Sequence, residues 1–129
     1  MDEATARITH IDAREHHPFT HAVRAGDWLY VSGQASTDFE TMQIVPGTFA
    51  EEFDRTMENL RRVLAMAGAG LEDVVKVVGM VKDDADLAEY NQRYLQAFPH
   101  PRPARTTHVG SLTRIKVELE CVAYLGRDT

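Results

Sequence analysis

The sequence predicts an α+β domain, a single mixed β-sheet with two helices on one of its faces. Three observations carry that expectation. Segments rich in β-branched and aromatic residues alternate with two segments of helical periodicity, in the order strands, helix, strand, helix, strands. Each helical segment has one apolar stripe, so each must cover a surface. The final strand is fully apolar on one face only, which gives the helices a surface to cover and leaves the opposite face bare.

The elements follow in chain order. "ITHIDA" and "FTHAVRAGDWLYVSG" read as strands, and Ala25-Gly26-Asp27 as a hairpin turn inside the second, which makes that pair antiparallel. A helix starts at Thr48, where T-F-A-E supplies a capping box: the Thr48 hydroxyl accepts from the Glu51 amide while the Glu51 carboxylate reaches back. Phe53, Met57, Leu60, Leu64 and Ala67 recur at helical spacing, and Gly68 is placed to end the helix in a left-handed conformation. "VVKVVGMVK" is the next strand. A second helix starts at Asp83 or Asp84 and carries Leu87, Tyr90, Tyr94 and Phe98 inward before Pro99 stops it. Strands over Thr106 to Gly110 and Arg114 to Leu125 close the chain. On the last, Ile115, Val117, Leu119, Cys121 and Ala123 face one way, and Lys116, Glu118, Glu120, Val122 and Tyr124 the other. Charges mixed with Val122 and Tyr124 suit a subunit interface better than a solvent face, so a homo-oligomer is expected.

Length and composition narrow the function. At 129 residues, with 43% hydrophobic and 26% charged residues, residues 1–129 make one globular domain and one site. The net charge of -6, with Lys and Arg scattered, weighs against nucleic acid. The opening residues have no basic and apolar leader, and no apolar run approaches the roughly 20 residues of a membrane span, so a cytoplasmic chain with no membrane partner is expected. The single cysteine, Cys121, excludes an intramolecular disulfide and falls on the helix-covered face, where it acts as a small hydrophobe. His16, His17 and His21 have no acidic partner at ligand spacing, so no metal site is expected. Ser32 lacks the GxSxG elbow of a serine hydrolase, and "GAG" at Gly68 to Gly70 is not followed by the Gly-Lys-Ser/Thr of a phosphate loop.

Two candidates remain. Arg105 follows Pro103-Ala104, so its backbone is partly preset and its guanidinium fork can clamp a carboxylate, although a surface ion pair would use it equally well. Glu118 and Glu120 share the bare face, where a partly desolvated carboxylate can orient or deprotonate a water. A wet sheet edge would also hold both, and periodicity does not rank them.

"HPFTHAVRAGDWLYVSGQ", "ENLRRVLAMAGAGLEDVVKVVGMVKD", "LAEYNQRYLQAF", "PART" and "VELECVA" occur in the order and approximate spacing of the RidA/YjgF family of enamine and imine deaminases, which the chain resembles from Phe19 to Ala123. The resemblance implies a chorismate-mutase-like fold, a trimer with a central β-barrel, and sites in clefts between subunits. It also implies hydrolysis of 2-imino acids, of the 2-aminoacrylate or 2-iminobutanoate type, to 2-keto acids and ammonia without metal or organic cofactor. By position, Arg105 matches the arginine that binds the substrate carboxylate, and Glu118 the acid that activates water. Phe19 stands where the family usually has tyrosine, and Thr107 where cysteine is frequent. Gly33 and Val109 lie where backbone groups would steer the adduct. The loop over residues 110–116 is about two residues shorter than usual. A related deaminase of a catabolic pathway, of the 2-aminomuconate type, is an alternative, as is a non-catalytic trimer that binds small carboxylates.

Overall fold

The computed structural model describes residues 7–126, so the reading of the first six residues lies outside it. Six strands form one sheet: β1 (Ile8–Ala13), β2 (Thr20–Ala25), β3 (Trp28–Ala35), β4 (Val74–Val81), β5 (Ala104–Val109) and β6 (Val117–Tyr124). Their spatial order is β1-β2-β3-β6-β4-β5, and the sheet is mixed: β4 and β5 are parallel, every other neighbouring pair antiparallel. Two helices, α1 (Phe49–Met66) and α2 (Leu87–Ala97), cover one face. No described helix is long and apolar enough to cross a membrane.

Helix α1 forms as its sequence predicts. Thr48 Oγ1 accepts from Glu51 N at 3.1 Å and Glu51 Oε1 from Thr48 N at 2.8 Å. At the other end Gly68 takes φ +74°, and Ala69 N reaches back to the Leu64 carbonyl, so the last turn closes as a Schellman motif. The buried face holds Phe53, Met57, Leu60 and Leu64, but also three polar residues that periodicity leaves unexplained, Glu52, Thr56 and Asn59. Glu52 and Asn59 fasten loops. Asn59 donates to the Ala35 and Thr37 carbonyls, pinning the chain that leaves β3. Glu52, 1% exposed, accepts from the Lys116 amide at 2.9 Å and pairs with its Nζ at 3.2 Å, pinning the chain that enters β6.

That second tie explains a difference from expectation. The closing strand begins at Val117, not Arg114, because the Lys116 amide is spent on Glu52 instead of a strand ladder. Asp84–Asp86 likewise forms a 3-10 turn, with α2 proper beginning at Leu87. Tyr90, Tyr94 and Phe98 pack inward; Gly79 on β4 lies directly under the Tyr90 hydroxyl, where a Cβ would collide with it.

β6 alternates as predicted. Val117, Leu119, Cys121 and Ala123 are buried under the helices, while Glu118, Glu120, Val122 and Tyr124 stand on the opposite face. That face also carries Trp28 and Tyr30, 43% and 51% exposed, with the Trp28 and Tyr124 rings 4.8 Å apart. Such a contiguous aromatic patch suits a protein contact.

Candidate functional site

The first half of the site forms where β3 is irregular. β3 and β6 pair regularly up to Val31 and Cys121, then resume at Gln34 and Leu119, so one extra residue is accommodated around Ser32 and Gly33. This bulge re-aims the strand beside Glu118. A Cβ on Gly33 would lie 2.9 Å from the Glu118 carboxyl carbon, so the glycine is the space the carboxyl occupies. The Ser32 hydroxyl bonds the Thr20 carbonyl and the Gln34 amide bonds the Ser32 carbonyl at 3.1 Å, which hold the bulge in place.

Around this point opens a cleft of about 420 Å³ in which Glu118 and Gly33 meet Phe19, Met42, Ile44 and Leu112. Glu118 is half-buried. Desolvation by these apolar walls, and next the negative charge of Glu120, push its carboxyl above the usual carboxylate range. Glu120 itself is exposed. The two glutamates that periodicity treats alike differ in degree: Glu118 lines the larger cleft and packs on Gly33, while Glu120 reaches only a shallower hollow that it shares with Phe19, Ser32, Gly33 and Glu118.

The second half lies on β5. Arg105 pairs in register with Val77, which is buried under the helices, so its side chain rises on the helix-covered face. There the guanidinium stacks on two rings of α2, 4.7 Å from the Tyr94 centroid and 5.3 Å from the Tyr90 centroid. Among the described residues it forms no ion pair, and it lines a shallow hollow with Asn91, Leu95 and Pro103. Thr107 and Val109 follow on the same side of β5, opposite Gly79 and Val81. The Thr107 and Tyr90 hydroxyls are buried close to one another without a well-formed hydrogen bond.

Phe19, Gly33 and Glu118 therefore come together, as do Arg105, Thr107 and Val109, but the two groups do not meet within one chain. β5 and β6 are not neighbours, since β4 runs between them. Tyr94 and Gln34 were not among the residues expected to serve the site. Tyr94 reads as core because its spacing is that of the α2 stripe; a pair of tyrosines four residues apart, aligned with an arginine on the covered strand, is the signal that could have found it. Gln34 reads as the end of a strand, and only the bulge makes it a tether.

Among the described residues no group of three His, Cys, Asp or Glu side chains is placed to hold a metal ion.

The chain matches the family model described as Endoribonuclease L-PSP over residues 10–125. It is 38% identical over 109 residues to a RutC family protein of Pyrococcus abyssi, covering 83% of this chain and 86% of that protein. It is 34% identical over 111 residues to the 2-iminobutanoate/2-iminopropanoate deaminase of Mus musculus, covering 84% and 82%. Among solved structures it resembles RidA from an Antarctic Psychrobacter, with a TM-score of 0.79 at 30% identity over 90% of this chain and 98% of that one. Yeast Mmf1 gives 0.83 at 26% identity over 93% and 100%.

Proposed function

From the premise that the chain belongs to the RidA/YjgF family, we propose that it is a deaminase that hydrolyses reactive 2-imino acids to 2-keto acids and ammonia. The observation that carries this reading is the desolvated Glu118 carboxyl held against Gly33 in a cleft walled by Phe19. A module that only bound small carboxylates would need Arg105 but has no use for an acid so placed. The proposal includes a homotrimer that packs through the open sheet face and forms its sites between subunits, Arg105, Thr107 and Val109 from one and Phe19, Gly33 and Glu118 from the next.

An imine carbon is already electrophilic, more so when protonated, so the reaction needs orientation and a positioned water more than a strong nucleophile. Arg105 fixes the α-carboxylate through its fork, while Tyr94 and Tyr90 hold the guanidinium plane. Glu118 takes a proton from the attacking water as the C–O bond forms at C2. It returns that proton to the amino nitrogen of the tetrahedral adduct, then accepts the hydroxyl proton as the C–N bond breaks, and passes it to the departing ammonia, which leaves as ammonium with the carboxylate restored. A carboxyl raised toward neutrality is the stronger base for the first step. Phe19, Met42, Ile44 and Leu112 receive the substrate side chain.

The test is ammonia release, or semicarbazide capture of the imine, over a panel of imino acids generated in situ by an amino-acid oxidase. Turnover above the rate in water is the expected result; a flat panel at the uncatalysed rate would overturn the reading.

A further inference from the structure

Behind the bulge lies a titratable group that the reaction does not use. His21 is 1% exposed, its ring stacked on Phe39 at 4.8 Å and met edge-on by Phe19 at 5.7 Å. Its Nδ1 stands 3.1 Å from Gln34 Nε2, the same nitrogen that donates to the Ser32 carbonyl. An amide nitrogen has hydrogens and no acceptor capacity, so Nδ1 must be the acceptor and the ring proton sits on Nε2. Nε2 in turn faces Asp12 Oδ2 at 3.8 Å, too long for a hydrogen bond. Asp12 is held back by Arg14, whose Nε and Nη2 donate to its two carboxylate oxygens at 3.0 and 2.8 Å, while Nη1 donates to the Phe39 and Glu40 carbonyls.

We propose that neutral His21 is a positioning residue: by accepting from Gln34 it fixes the Ser32–Gly33 peptide against which the Glu118 carboxyl packs. The Gln34 amide can serve both acceptors only while His21 Nδ1 carries no proton. Protonation makes Nδ1 a donor facing a donor. Gln34 must then turn its oxygen to the imidazolium, the Ser32 carbonyl loses its partner, and the planar peptide that carries Gly33 is freed to rotate.

The groups facing His21 set when this happens. Burial disfavours the imidazolium, and the charges of Arg14 and His17 add to that; Asp12 alone opposes it, and Gln34, Phe19 and Phe39 are uncharged. The ring therefore stays neutral below the ordinary histidine range, and the tether is intact at neutral pH.

This inference rests on the proposed chemistry at Glu118, and its test has a readout that does not. His21→Leu removes the acceptor and is expected to lower kcat about tenfold with little change in KM, a loss corresponding to one well-made hydrogen bond. His21→Gln can accept from Gln34 but cannot titrate, so it recovers most of that loss. Its acid limb should follow one proton, where the wild type follows two. In parallel, with Glu120→Gln in both proteins so that the neighbouring carboxylate adds no step of its own, the 13C-carboxyl signal of Glu118 in the full-length protein should titrate in two steps where His21 is kept and in one step in His21→Gln. A single-step Glu118 titration in the protein that keeps His21, or identical acid limbs in wild type and His21→Gln, would overturn the proposal. If the wild type turned over no imino acid, the carbon titration alone would still decide the His21 tether, and only the proposed function would fall. Should His21→Leu not fold, His21→Gln carries the comparison by itself.

Discussion

Arg105 and Glu118 stand on opposite faces of one sheet. Arg105 is in register with the buried Val77, and Glu118 with Met80 on the open face. A clamp and an acid so separated cannot serve the same substrate within one chain, so a site that uses both needs two copies. Mixing tests this directly. Arg105→Ala and Glu118→Gln should each reduce turnover by about a hundredfold or more, since each removes a charged contact to the substrate or the reacting water. Unfolded together and co-assembled in equal amounts, they should recover about a quarter of wild-type activity, the fraction of sites that draw both intact residues under random assembly. No recovery in a verified mixed oligomer would mean the two residues do not share a site.

Glu118 carries a cost in stability that can be measured. Its carboxyl is raised in the fold, so its ionised form is disfavoured there: the contribution is fully present below the unfolded carboxylate pKa and is lost as pH rises through the higher folded value. Glu118→Gln should therefore raise the melting temperature at pH 7 while abolishing turnover, with the gain disappearing in acid. Glu120 is the second cause of the shift, so Glu120→Gln should lower the Glu118 pKa and move the acid limb of the pH–rate profile to lower pH, leaving neutral turnover largely intact. An unmoved acid limb in Glu120→Gln would place the titrating base elsewhere.

Much of this arrangement is legible in the sequence, and the parts that are not share a cause. Capping at Thr48 and Glu51, termination at Gly68 and the alternation of β6 are local, and local spacing predicts them. The start of β6 is not, because the Lys116 amide is claimed by Glu52, 64 residues earlier in the chain. Nor is the facing of Arg105 against Glu118: alternation relates residues within a strand, whereas the faces of two strands are related only by their register to β4 between them. "ARTTHV" adds no help, since β5 is an edge strand that is largely exposed and carries no apolar pattern. Family position alone ranks Glu118 over Glu120 in the sequence; the bulge at Ser32–Gly33, which sets the Glu118 carboxyl against Gly33, comes from pairing with a distant strand and has no local signal.

Two glycines in the sheet should respond differently to alanine. At Gly33 the added methyl meets the end of the Glu118 side chain, which can rotate away, so the fold should lose about 1 kcal/mol or less while the displaced acid lowers kcat strongly. At Gly79 it meets the hydroxyl of the fully buried Tyr90, which has nowhere to go, and overpacking should cost about 1–3 kcal/mol. Chemical denaturation and steady-state kinetics on both variants check the pair. The idea fails if Gly33→Ala keeps wild-type kcat.

The clamp proposed at Arg105 would depend on the rings beneath it. Arg105 stacks most closely on Tyr94, and a partly exposed cation over an aromatic ring is stabilised by about 0.5–1 kcal/mol. Tyr94→Phe keeps the ring, and its hydroxyl has no hydrogen-bond partner among the described residues, so substrate binding should be unchanged. Tyr94→Leu removes the ring and should raise KM about two- to fivefold, the same free energy expressed as an affinity, with kcat nearly constant because Glu118 is untouched. Arg105→Lys should not preserve binding even with Tyr94 intact: an ammonium neither stacks flat on the ring nor bridges both carboxylate oxygens. If Tyr94→Leu and Tyr94→Phe gave equal KM values for an imino acid, the stacked guanidinium would be packing alone, and the orientation of Arg105 would have to come from the neighbouring subunit.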